Sequence, residues 1–421
     1  MSEFDEIDDE IDHDMGWSNG VRRKSGKRKV GPSFRERLRE RWHRARPFWE
    51  PFATLLRGIR GVLFFPIISP LGYAKRFNIN GDMVVVKRSW YWRVLDGVLT
   101  RLLLTPVILS IFLLAVVYAT THPAPVQAYS SPGAFGCYFR RVSISTIDSQ
   151  RLTAWYVPPL TVDEMALDPE SMLVQRWPSV VLCHGLGESH DQYLSLTQEL
   201  HNAGFAVLLL DMRGQGASDG SAVTYGLRER LDVLAGVKYL RELPNIDRAK
   251  VSVMGHDIGA VAALQAAALD SSITAVIADG LWPNFGDRAT GIFERALGPG
   301  WPSMHWLAPL YTAAFEVSLR DRISQVDTDT IARTLRTQPV LFVARTAPQY
   351  APIGDVVSLA STVEAKHEVI VADEGGVASG ANGKSRLDSD IKDFLVQATG
   401  WKGPKYHAVH QIEQLLQNRV K

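Results

Sequence analysis

From Leu102 to Thr120 the chain reads LLLTPVILSIFLLAVVYAT, 19 positions without a charge. At a rise of ~1.5 Å per residue, a helix of that length nearly covers a hydrocarbon layer of ~30 Å, and the pattern predicts a transmembrane helix over 102–120. Helices buried in globular cores rarely run so far without a polar face. Pro106 falls in the first turn of this span, where a missing N–H matters little. Upstream, residues 61–74 (GVLFFPIISPLGYA) form a second apolar patch, too short and too proline-broken to cross. An interfacial or re-entrant segment is expected there.

After residue 136 the period changes. YFRRVSIS (138–145) and LTAWYV (152–157) alternate like a hairpin joined through Asp148-Ser149-Gln150. SVVLC (179–183), AVLLLD (206–211), KVSVMG (250–255), ITAVIAD (273–279), PVLFVA (339–344) and HEVIVA (367–372) are near-continuous apolar runs, as in a parallel sheet buried on both faces. Helix-period segments lie at 192–203, 227–242, 257–269 and 386–398. Strands alternating with helices predict an α/β domain over 137–400 with a mostly parallel, doubly wound sheet of eight strands. A Pro/Ser/Gly-containing linker (121–136) precedes it, and a polar helical tail (401–421) follows.

Charge changes the picture of the N-terminal part. The net charge of +1 and the 46 Lys and Arg against 45 acids exclude a uniformly basic nucleic-acid binder. The average conceals segregation: residues 1–14 hold 8 acids, 15–101 hold 20 basic residues against 5 acids, and the rest holds 26 against 32. Residues 1–46 read as a charged, solvated tail and 47–101 as a basic juxtamembrane region. Lys87, Arg88, Arg93 and Arg101 precede the predicted span, whereas no Lys or Arg follows it before Arg140. The positive-inside rule therefore expects a cytoplasmic N-terminus, an extracytoplasmic C-terminal domain and anionic lipid headgroups as the tail's partner. Val126-Gln127-Ala128 has the form of a signal-cleavage site, but the long stretch before the span favours a retained anchor. Trp90, Tyr91 and Trp92 are candidates for the membrane interface. With only Cys137 and Cys183, neither a disulfide framework nor a Cys-based zinc site is expected.

Candidate chemistry concentrates in VSVMGHDIGAVAALQAAAL (251–269): an apolar strand, then Gly255-His256-Asp257-Ile258-Gly259, then a small-residue helix. Glycines on both sides of Asp257 permit a strained turn that presents its side chain beside a helix N-terminus. Three other stretches fall in step with it: His184-Gly185-Leu186-Gly187, then Asp211-Met212-Arg213-Gly214-Gln215-Gly216-Ala217-Ser218, then Tyr225-Gly226-Leu227-Arg228-Glu229-Arg230-Leu231-Asp232. Together they resemble the α/β-hydrolase superfamily, in its serine-peptidase-like and acyl-esterase-like branch, over about 138–398. The resemblance implies a nucleophile elbow at Asp257 where Ser is usual. It also implies oxyanion donors at Leu186 and Ile258, and a Ser, Asp/Glu and His triad.

The other triad members are missing. In the superfamily's pattern, the acid position after 339–344 falls on Pro348, and the histidine position after 367–372 falls nearest Val377. Asp279 sits where some Asp-nucleophile members keep their acid and could orient a base there, although a helix cap or loop anchor is the expected reading. His305, in the cap-like insertion 281–335, is the candidate base that reaches over from a lid. His367, His407 and His410 are poorly placed, and His184 and His256 are expected to bond loop backbone. No His/Asp/Glu cluster has ligand spacing, so neither metal nor cofactor is expected. The insertion carries Trp282, Phe285, Phe293, Trp301, Trp306, Tyr311 and Phe315, which suit either an apolar or acyl ligand pocket or the core of a small lid. Three functions follow: a hydrolase-like protein with decayed machinery and a retained pocket, an active hydrolase using Asp257, or a membrane organiser acting through its basic tail.

Overall fold

The computed structural model describes residues 73–77, 82–87, 89–124, 126, 128–159, 176–220, 222–286, 288, 291–292, 307–320, 322, 327–347, 350–373, 377–380 and 383–403. The tail 1–46, most of the 61–74 patch, His305 and most of 401–421 lie outside them. The chain divides into two compact units, Met1–Arg101 and Leu102–Lys421.

In the first unit, strands β1 (Tyr73–Phe77) and β2 (Met83–Lys87) pair antiparallel. This hairpin is absent from the sequence reading, although Asn80-Gly81 between the two runs is a strong turn signal. Helix α1 spans Trp90–Thr121, 32 residues. It starts 12 residues before the predicted span because nothing between Trp90 and Arg101 interrupts propagation once a helix has nucleated. Pro106 consequently lies inside the helix instead of in its first turn. Its best window has a mean hydropathy of 2.6 and is only 22% buried. Leu102 and Leu103 are each 69% exposed, unlike the residues of a soluble core helix. One helix long and apolar enough to cross a membrane is therefore present.

The second unit is built on a sheet of ten strands: β3 (Arg140–Ser145), β4 (Arg151–Val157), β5 (Trp177–Cys183), β6 (Ala206–Leu210), β7 (Ile246–His256), β8 (Val276–Asp279), β9 (Val340–Arg345), β10 (His367–Ala372), β11 (Val377–Gly380) and β12 (Gly383–Arg386). Their spatial order is β12-β11-β10-β9-β8-β7-β5-β6-β4-β3. Neighbours from β6 through β10 are parallel, and both edges are antiparallel. The expected eight strands are all present. Two were missed, because β11 and β12 form a short edge hairpin from the stretch read as the histidine-bearing loop.

Alternation along the buried strands assigns the two faces. Val180, Leu182, Val207, Leu209, Ile277 and Val343 share a core with helices α2 (Leu194–Asn202) and α8 (Leu387–Thr399). Val181 and Leu208 point the other way, to α3 (Glu229–Glu242), where a Cβ on Gly236 would meet their methyls at 3.1 and 3.3 Å. Helix α4 (Ile258–Leu269) lies beside α3 and is buried from Ile258 to Ala267, with Gln265 the one polar residue in that stretch. The linker after α1 is docked: the Tyr129 N–H donates to the Asp191 carboxylate at 2.9 Å. In the cap region, α5 (Ala308–Leu319) and α6 (Thr328–Ala332) are described, followed by α7 (Ile353–Ala360) beside β9 and β10.

Candidate active site

Strand β7 ends at His256 and α4 begins at Ile258, leaving Asp257 alone on the turn with φ 50° and ψ −111°. That conformation is strained for a residue with a Cβ. The surroundings enforce it: the Asp257 N–H donates to the Asp279 carbonyl at the end of β8, 2.9 Å away. A Cβ on Gly259 would stand 2.5 Å from the Cys183 carbonyl oxygen, and one on Gly255 would overlap the Gly259 backbone. Both glycines are needed so that α4 can start hard against β5 and β7. The strand-to-helix elbow therefore has the form read from the sequence.

What the elbow presents is held fast. Asp257 is 8% exposed, and its carboxylate accepts a hydrogen bond of 2.6 Å from Nη2 of Arg288 in the cap region. The Arg288 guanidinium lies 5.6 Å above the Trp282 ring. Among the described residues no histidine shares this bond. Asp257 lines a shallow cleft that opens to solvent, with Ile258 and Val261 of α4, Tyr225, Trp282, Asn284, Phe285, Arg288 and Thr328. Tyr225 meets Phe285 and Phe315 edge-to-face and those two meet tilted, at ring separations of 5.0–5.6 Å. Of the cap aromatics, Trp282 and Phe285 line the cleft, while Tyr311 and Phe315 are fully buried against Thr120 and Tyr225.

His256 does not bond loop backbone, contrary to expectation. Its ring turns away from Asp257, with Nδ1 3.2 Å from an Asp279 carboxylate oxygen and Nε2 3.1 Å from the Tyr350 hydroxyl. Glu188, from the loop after β5, comes within 3.8 Å of Nε2. Asp279 is neither helix cap nor loop anchor; it is the hub of an ion network. It accepts from Arg345 Nε at 2.6 Å and also binds Arg345 Nη2, while Arg345 Nη1 donates to the Asp373 carbonyl at 3.3 Å. Sequence reading missed Arg345, Tyr350, Glu188 and Arg288. The available signal for Arg345 was a charge at the carboxyl end of a central strand, the edge where open α/β sheets keep their chemistry.

Burial by itself would drive His256 to its neutral form, but the Asp279 charge and hydrogen bond outweigh it and raise its pKa to about 9. Burial would likewise raise Asp279, yet His256 and Arg345 lower it to about 2. A raised histidine stabilises the fold fully below its unfolded value of ~6.5, and the contribution is lost as pH rises through the folded value. A depressed aspartate stabilises above ~3.9 and loses that contribution as pH falls through about 2. The pair is therefore most stabilising between about pH 4 and 6.5. Denaturant unfolding of the full chain in detergent should show stability declining from about pH 6.5 to 9. That decline should be absent in His256→Gln; an unchanged decline would assign it to other groups.

The remaining motif residues build scaffold. His184 bonds the Gly185 carbonyl through Nδ1 at 2.9 Å and accepts the Met212 N–H at Nε2, as expected of a loop-bonding histidine. Asp211 takes His190 and the Ala217 N–H, and a Cβ on Gly216 would overlap its carboxylate. Arg213 bridges Asp232 and Asp148. In the oxyanion region, Ile258 is the first residue of α4, so its N–H lacks an intrahelical acceptor. Leu186 lies on the facing loop, where the Glu188 carboxylate takes the Gly185 N–H at 2.9 Å. A carboxylate there opposes the negative charge an oxyanion develops.

Two positions were expected from the resemblance to hold the acid and the histidine. Pro348 lies outside the described residues; Tyr350, two residues on, bonds His256. Val377 is paired into the edge hairpin, opposite Arg386. Cys137 and Cys183 are free and buried, and burial raises both thiols. Among the described residues no cluster of His, Cys, Asp or Glu suited to a metal ion occurs.

The model of the alpha/beta hydrolase family matches residues 180–394, half of the chain. The chain belongs to that family. Relatives of this alpha/beta hydrolase include the uncharacterized protein Rv2307c of Mycobacterium tuberculosis, 29% identical over 140 residues, which are 33% of this chain and 44% of the relative. YqkD of Bacillus subtilis is 26% identical over 228 residues (52% and 70%), and the polyketide transferase ATR5 of Stachybotrys chlorohalonatus 31% over 140 residues (32% and 42%). The alignment thus spans less than half of the Mycobacterium relative. Among solved structures, the esterase Pf2001 of Pyrococcus furiosus is 20% identical with a TM-score of 0.49, covering 66% of this chain and 98% of its own.

Proposed function

We propose that this alpha/beta hydrolase-like chain is membrane-anchored through α1, does not turn over esters, and retains its cleft as a binding site. One observation carries the reading: the residue at the nucleophile position, Asp257, is ion-paired to Arg288 while the adjacent histidine is held by Asp279, which also pairs with Arg345. Nucleophilic attack by a carboxylate needs a free lone pair aimed at substrate. Release of the resulting ester needs a base beside an attacking water. Arg288 binds one carboxylate oxygen and draws charge from the group, which weakens it as a nucleophile, and His256 faces away from the place of the attacking water. Anchoring is supported by the length, apolarity and exposure of α1, and an N-terminus in the cytoplasm by the Lys and Arg excess before it.

The test is turnover. The full chain, offered short-chain p-nitrophenyl esters, epoxides and haloalkanes, is expected to show no activity above buffer. Asp257→Ser is expected to gain none, since no described base stands ready to deprotonate the hydroxyl. Ester turnover abolished by Asp257→Ala would overturn the inactive reading.

A further inference from the structure

We infer that the cleft beside Asp257 takes the acyl part of a membrane lipid, entering from the bilayer, with Trp282 Nε1–H and Arg288 Nε–H donating to its carbonyl oxygen. The inference rests on the anchored reading and names the ligand class of that site.

Two buried donors are available. Arg288 is only 9% exposed, and neither its Nε nor the buried Trp282 Nε1 meets an acceptor among the described residues. Buried N–H groups without acceptors are costly, so such a pair marks a place where an oxygen atom belongs. The guanidinium charge is already compensated by Asp257 at 2.6 Å. A second carboxylate would find no uncompensated cation, whereas an ester or amide carbonyl needs only the donors. Beside them Ile258, Val261 and Phe285 supply an apolar wall that suits a hydrocarbon chain.

Delivery from the bilayer follows from what holds that wall. Tyr225, which lines the cleft, donates from its hydroxyl to the Thr120 carbonyl in the last turn of α1 at 2.9 Å. Val223 N–H donates to the Thr121 carbonyl at 2.7 Å, and the Thr120 and Tyr311 hydroxyls share a hydrogen bond of 2.7 Å. The end of the membrane helix is thereby tied both to the cleft and to α5. Helix α5 buries Tyr311 and Phe315 inward, while Leu310, Ala313 and Val317 form an outward apolar stripe at i, i+3 and i+7. A helix apolar on both sides, bonded to the emerging end of a membrane span, lies against the lipid surface.

The full chain is reconstituted in phosphatidylcholine vesicles containing a phosphatidylcholine with a photoactivatable diazirine in one acyl chain, irradiated, and its labelled peptides mapped by mass spectrometry. Label is expected on the 102–121 segment, on the outward face of α5, and on the cleft segment 281–288. Trp282→Phe keeps the ring and deletes one donor; it should lower cleft labelling about fivefold, the worth of one hydrogen bond, and leave the span unchanged. Methyl palmitate should compete for the cleft better than palmitate. Label confined to the span, an indifferent Trp282→Phe, or stronger competition by palmitate would each overturn the inference while leaving the anchor intact. Absence of label from 102–121 would instead overturn the anchored reading beneath it.

Discussion

Asp279→Ala is expected to destabilise the hydrolase domain by about 3–5 kcal/mol, because it leaves the buried His256 cation and the partly buried Arg345 without their common counter-charge. The loss should appear as a lower denaturant midpoint for the full chain in detergent, with an unchanged slope. It should have a second signature that a packing defect lacks. His256 is held at about 9 chiefly by Asp279 working against burial; without that carboxylate, burial prevails and the ring should titrate far lower. Its imidazole resonances across pH give the reading. Asp279→Asn keeps a hydrogen-bond acceptor and loses only the charge, so it should fall between wild type and Asp279→Ala. A cost below about 1 kcal/mol, in the range of exposed pairs, would mean that the network is solvated after all.

Arg288→Met should cost a comparable amount, about 3–5 kcal/mol, by leaving the Asp257 carboxylate buried and unpaired on a strained turn. Asp257→Asn alone should cost less, since an amide can still accept from the guanidinium. The double variant should recover part of the loss of Arg288→Met, because removing both charges removes the penalty that either leaves behind. The coupling from this double-mutant cycle measures the ion pair itself. Additive effects would show that the two side chains do not sense each other, and would remove the principal support for a blocked nucleophile position.

Both predictions concern residues whose identity is obvious in the sequence and whose partnerships are not. Asp257 is legible as the centre of an elbow because Gly255 and Gly259 are backbone requirements. Each admits a helix start against a strand, and such requirements leave a local trace. The parallel strands are legible for the same kind of reason, since burial on both faces produces continuous apolar runs such as SVVLC and AVLLLD. Arg288 and Arg345 reach carboxylates 31 and 66 positions away in the chain. No spacing rule operates over that distance. The direction of the His256 ring is equally hidden, since Asp279, Tyr350 and Glu188, each distant in the chain, tell the imidazole which way to turn. The edge hairpin β11–β12 escaped because short, polar edge strands carry no hydrophobic period.

What the sequence determined alone is therefore what rests on local chemistry. It specifies an apolar run able to cross a membrane, an alternation of buried strands and helices, an elbow between two glycines, and the absence of a serine there. The tertiary structure decided what surrounds the elbow. Charges from the cap region and from β8, β9 and the loop after β5 converge on it and satisfy one another, and the last turn of α1 holds Tyr225, which lines the cleft. Ion pairs and hydrogen bonds depend on distances of about 3 Å between atoms, and only the closed fold sets those distances.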